Sequence, residues 1–165
     1  MNIICFHNPN EENGYLSNWY LSEFTVAGVT FSSMEQYMMY EKALLFQDQE
    51  AAEKILQTDN AADIKALGRS VQHFDDKIWI KVREEIVYKG VREKFRQNPE
   101  LAEKLEQTGE DTIAECAVKD RIWGIGLSMK DENRHCIDRW RGQNLLGKIL
   151  MRVREEIRHQ KKEQR

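Results

Sequence analysis

Residues 75–97, DDKIWIKVREEIVYKGVREKFRQ, decide the reading of the fold. Ile78, Trp79, Val82, Ile86, Val87, Val91 and Phe95 recur at intervals of three and four, which predicts one long helix with a single apolar stripe. Asn98–Pro99 ends it, and Leu101 and Leu105 mark a shorter helix beyond. Upstream, Ser32 is the expected N-cap of a helix running to about Phe46. Shorter helices are expected from Asp48 to about Gln57 and from Asn60 to about Leu67, the latter stopped by Gly68. At the other end, Leu146, Ile149, Leu150, Val153 and Ile157 line the buried face of a last helix from about Gln143 to Gln160. The charged tail, about residues 158–165, is expected to fray. Extended structure is confined to Ile3–Phe6, a hairpin over Glu23–Phe31 turning at Ala27–Gly28, and a short strand at Thr112–Ala114. The fold class is therefore mainly α (α+β), in a single multihelical domain over 1–165.

Composition narrows the function classes. The chain has 165 residues, 41% of them hydrophobic and 32% charged, with a net charge of −3. That is a globular composition with no general basic surface for gripping nucleic-acid phosphates. No apolar run reaches the ~18 residues of a membrane span, and the N-terminus carries no signal-peptide pattern. Three widely spaced cysteines (Cys5, Cys116, Cys136) point to reduced thiols and a cytoplasmic setting. The histidines and cysteines lack metal-ligand spacing, so no metal and no cofactor are expected.

The stretch SSMEQYMMYEKALLF, residues 32–46, carries the most chemistry. Glu35 and Lys42 are seven residues apart and share a helix face, roughly 10 Å apart along the axis. Met38, Met39 and Phe46 lie on or beside that face. An apolar setting raises a carboxylic acid's pKa and lowers an amine's, as an acid–base glutamate and a nucleophilic lysine require. A structural reading competes: Ser32-x-x-Glu35 has the form of a capping box, and Lys42 could extend past the methionines to water.

Two further segments have ligand-binding character. In ECAVKDRIWGIG, residues 115–126, Glu115 and Asp120 could accept hydrogen bonds from ribose or base, Trp123 could stack on a base, and Gly124 could admit a ligand close to the backbone. In WRGQNLLGKILMRVR, residues 140–154, Gly142, Gln143 and Asn144 open a helix whose first amides could hold a phosphate.

Six blocks in order resemble the NADAR (YbiA-like) family. They are GYLSNWY (14–20), FSSMEQYMMYEKA (31–43), ALGR (66–69), Trp79 with KGVREKF (89–95), ECAVKDRIWGIGL (115–127) and WRGQNLLGKILMRVR (140–154). The resemblance implies an α-rich YbiA-like domain that binds ADP-ribose-like or ribose-phosphate compounds and hydrolyses N-glycosidic bonds. Candidate substrates are ADP-ribosylated guanine and the ribosylaminopyrimidine intermediates of riboflavin synthesis. Carried over by position, Glu35, Lys42 and Asp120 are the expected catalytic residues. Asn18, Trp19, Arg69, Trp79, Glu115, Trp123, Gly124 and Asn144 are the expected substrate contacts. Gln36 departs from the family pattern, since many members have histidine there. The expected partner is a small ribosyl or ADP-ribosyl compound, with ADP-ribosylated nucleic acid a further candidate and the oligomeric state open. The rival reading is a binding module for NAD or ADP-ribose without turnover.

Overall fold

A computed structural model describes residues 2–165. The element order is β1 (Ile3–Phe6), β2 (Leu21–Val26), β3 (Val29–Ser33), α1 (Met34–Leu45), α2 (Gln49–Leu56), α3 (Ala61–Arg69), α4 (Asp76–Gln97), α5 (Pro99–Gln107), β4 (Thr112–Glu115) and α6 (Leu145–Glu163), with three short 3-10 turns. The chain gathers into two compact units. One is Leu21–Asn98; the other joins the described residues up to Tyr20 with Pro99–Arg165. No helix is long and apolar enough to cross a membrane among the described residues.

In the Leu21–Asn98 unit, β2 and β3 form the expected antiparallel hairpin, with Val26 opposite Val29. Its turn residues Ala27 and Gly28 both take positive φ, as a type I′ turn requires. Alternation along β2 buries Ser22, Phe24 and Val26 and leaves Leu21, Glu23 and Thr25 outside. Phe24 and Phe31 pack on Tyr37 of α1 with ring centroids 5.8 and 5.2 Å away.

Helix α1 begins one residue later than the sequence suggests. Ser33, not Ser32, is the N-cap, and its Oγ accepts from Gln36 N at 3.1 Å. The third helical position is therefore Gln36. Its Oε1 accepts from the N–H and the hydroxyl of Ser32, at 2.7 and 3.1 Å, and its Nε2 donates to the carbonyls of Ile55 and Thr58, both at 3.0 Å. Gln36 thus ties the hairpin to the end of α2, and Glu35 sits at the second helical position rather than the third.

Two other boundaries differ for packing reasons. Gly68 does not stop α3, which continues to Arg69 and is capped at Ser70. A Cβ on Gly68 would overlap the Met39 side chain, so glycine serves the close approach of α3 to α1. On α4 the buried stripe is rotated from the expected one. Trp79, Arg83, Val87, Tyr88, Gly90, Val91, Lys94 and Phe95 face inward, whereas Ile78 is 46% exposed.

In the other unit, β1 and β4 pair in parallel from Ile3↔Thr112 to Phe6↔Glu115. Helix α6 packs on β4 and α5 on α6. Arg154 is buried, its Nη1 donating to Thr108 Oγ1 and Asp111 O at 2.9 and 2.8 Å. Helix α6 starts at Leu145 and runs to Glu163, so most of the tail expected to fray is helical. All three cysteines are unpaired. Replacing Ser33 by alanine should lower stability by about 1 kcal/mol in chemical denaturation, with Ser33→Thr close to the parent chain.

Candidate active site

Four elements of the Leu21–Asn98 unit bring charged and aromatic groups to Lys42. Its Nζ donates to Gly68 O at 2.8 Å and lies 4.5 Å from the Phe74 ring centroid and 5.9 Å from that of Trp79. Burial holds its pKa below the ordinary lysine value of 10.5. The Glu35 and Asp76 charges oppose that shift, and the Arg69 charge adds to it. Magnitudes explain why burial leads: an aromatic face returns about 0.5–2 kcal/mol to a cation, while removing it from water costs several. Glu35 is 5% exposed and sits two turns before Lys42 on α1. Of the sequence candidates, Glu35, Lys42, Arg69 and Trp79 therefore converge. Arg69 is exposed on the last turn of α3, and Trp79 is buried, a wall of the lysine's surroundings.

Phe74 and Asp76 were not among the sequence candidates. Phe74 belongs to the loop between α3 and α4, and its approach to Lys42 depends on how that loop is pinned. Asp48, the N-cap of α2, accepts from Ala51 N at 3.1 Å and from Gln72 N at 2.9 Å. These bonds hold its carboxyl below the usual carboxylate range. His73 then turns the chain with φ 61°. Phe74 follows, edge-on to Phe46 at 5.3 Å and 43% exposed. Asp75 caps α4 immediately after it.

The other unit holds the remaining candidates, and several of them build the backbone. Asp120 Oδ1 accepts from Ile122 N and Trp123 N at 3.0 and 2.8 Å, so this carboxylate folds the turn that presents Trp123. Gly124 is required by the chain's own backbone, since a Cβ there would lie 2.9 Å from Glu115 O and 3.0 Å from Asp120 O. The expected phosphate cradle at the start of α6 is already filled. Amides of Gln143, Asn144, Leu145 and Leu146 donate to the carbonyls of Arg121, Gly124, Ile122 and Trp123. Asn144 is 1% exposed in the left-handed region at φ 54°. Its Oδ1 accepts from Glu115 N at 3.1 Å and its Nδ2 donates to Ile113 O at 2.9 Å, which makes it a brace between α6 and β4. Trp123 is half-buried and Glu115 partly buried. Trp19 is exposed, and Asn18 is buried with its Oδ1 lacking a hydrogen-bond partner.

The sequence model of the NADAR domain matches residues 5–158. This chain belongs to the NADAR family. It is 42% identical to N-glycosidase R617 of Acanthamoeba polyphaga mimivirus, over 93% of this chain and 95% of that protein. It is 38% identical to riboflavin biosynthesis protein VVA0006 of Vibrio vulnificus, over 93% of this chain but 38% of that longer protein. The NMR structure of Escherichia coli YbiA superposes with a TM-score of 0.80 at 28% identity, covering 96% of this chain and 86% of that one. NADAR membership makes the chain an enzyme of the N-glycosidase class, a hydrolase of N-glycosyl compounds.

The bracing role of Asn144 has a measurable consequence. Asn144→Ala leaves a partly buried amide and a buried carbonyl of β4 without these partners, and should cost roughly 2–4 kcal/mol in urea denaturation.

Proposed function

We propose that this NADAR protein hydrolyses the bond between ribose C1 and a base-type nitrogen in a ribose-phosphate or ADP-ribose compound, with Lys42 as nucleophile and Glu35 as proton shuttle. The observation that carries this reading is the Lys42 amine. It is held against Gly68 O beneath Phe74, its pKa is lowered by burial, and a buried glutamate lies on the same helix face.

Ribose C1 of such a compound is bonded to the ring oxygen and to the base nitrogen. Proton transfer from Glu35 to the ring oxygen opens the sugar to an iminium between C1 and that nitrogen. The neutral Lys42 amine adds to C1. The base nitrogen takes a proton and leaves with the electrons of its C1 bond, and a lysine Schiff base remains. Water, deprotonated by the Glu35 carboxylate, adds to C1, and collapse releases the sugar and restores the amine. One water is consumed and the C–N bond becomes base N–H plus sugar C–OH. Arg69 is exposed beside this amine and suits an anionic substituent of the substrate.

Between the two substrate classes, a ribosylaminopyrimidine phosphate fits better than ADP-ribosylated guanine within nucleic acid. The net charge of −3 disfavours a polyanion, and one relative bears a riboflavin-biosynthesis name. Three unpaired thiols suit a reducing cytoplasm.

Borohydride added during turnover should fix a sugar adduct on Lys42, located by peptide mass spectrometry, and Lys42→Ala should abolish both adduct and turnover. A Lys42→Ala chain with full activity would refute the nucleophile. Loss of activity in Glu35→Gln with no trapped adduct in the parent chain would instead support water attack activated by Glu35. Glu35→Gln should lower kcat by about 10²–10⁴. The reaction starts with Glu35 protonated and Lys42 neutral, so kcat/KM should be bell-shaped in pH, falling where both groups hold a proton and again where neither does, with the alkaline limb below 10.5.

A further inference from the structure

Arg83 is buried where the hydrophobic pattern of α4 offers apolar alternatives. The helix directs Trp79, Arg83 and Val87 inward at intervals of four, while Ile78 and Ile80 are exposed and Val82 and Ile86 are half-buried. A guanidinium stays charged in proteins and carries five N–H donors. At 8% exposure, Arg83 has an Nε without a hydrogen-bond partner, and no carboxylate pairs with it among the described residues. A buried charge of this kind is strongly unfavourable unless something neutralises it. Its neighbour one turn back is Trp79, whose ring lies 5.9 Å from Lys42 Nζ. Side chains four apart on a helix are adjacent.

We infer that Arg83 is an anion-binding residue, holding a phosphoryl group of the ligand one helical turn from the wall of the Lys42 site. A planar guanidinium matches two phosphoryl oxygens with two parallel N–H donors, and the bound anion supplies the charge the protein omits. The inference rests on the ribose-phosphate reading above for its ligand class. It does not depend on whether Lys42 forms a covalent bond.

Calorimetric titration of the full chain with inorganic phosphate, ribose 5-phosphate and ADP-ribose tests it, beside Arg83→Met and Arg83→Lys. Arg83→Met should weaken ribose 5-phosphate binding at least about thirtyfold, and Arg83→Lys should weaken it less. The same Arg83→Met chain without ligand should melt at an equal or higher temperature, by about 3 °C, because an unpaired buried charge has been replaced by an apolar side chain. These titrations read binding without turnover, so a failure of the covalent mechanism leaves this result standing. A larger loss for ADP-ribose than for ribose 5-phosphate would assign the site to a pyrophosphate, and the reverse to a sugar monophosphate. The inference is overturned if the parent chain binds none of the three, or if Arg83→Met binds them unchanged. A lower melting temperature with unchanged affinity would mark Arg83 as structural.

Discussion

A lysine ammonium kept partly from water, against one backbone carbonyl and two aromatic rings, is the constraint on which the Leu21–Asn98 unit depends. The groups around it come from four elements. The first turn of α1 brings Glu35, α3 brings the Gly68 carbonyl and Arg69, the following loop brings Phe74, and α4 brings Trp79 and Asp76. Apart from Glu35, which shares the helix, none of these would reach Lys42 without close packing elsewhere. Helix α3 approaches α1 because Gly68 leaves room for the Met39 side chain. Phe74 is aimed by a loop that Asp48 pins at Gln72 and His73 turns in the left-handed region. A non-glycine residue there costs on the order of 1 kcal/mol, offset by the contacts it permits.

The unit containing β1, β4 and α6 solves a different problem. Its glycine-containing loop is held by four amides at the start of α6, and Asn144 locks both to β4. Asp120, expected as a catalytic residue, and Gly124, expected as a substrate contact, both serve that framework. The ring of Trp123, the exposed Trp19 and the unpartnered Oδ1 of Asn18 remain available within the unit. A buried carbonyl without a donor costs about 1–3 kcal/mol, so a ligand or water that satisfies Asn18 is favoured by that much.

The sequence made some of this legible and hid the rest for identifiable reasons. The helices were readable because their period of 3.6 runs over long enough stretches, and the hairpin and the short strand segments because strand-forming residues cluster there. Glu35 and Lys42 could be paired because both lie on one helix, where spacing alone sets the face. The cap at Ser32 was misplaced because Ser33 is chemically equivalent, and only the bonds of Gln36 separate them. That shift removed the capping explanation for Glu35. Phe74 was invisible because its approach to Lys42 is tertiary, across 32 residues of chain. Arg83 was hidden by the pattern itself, since Ile78, Val82 and Ile86 outline an apolar stripe that the helix only partly buries.

The account stands or falls on the state of one amine. Reductive ¹³C-methylation of the lysines followed by NMR titration, with the Lys42 resonance assigned by its loss in Lys42→Arg, reads that state directly. The structure predicts a midpoint clearly below 10.5, because burial outweighs the attraction of Glu35 and Asp76. A midpoint at or above 10.5 would mean a fully hydrated or tightly ion-paired ammonium, which cannot serve as the nucleophile.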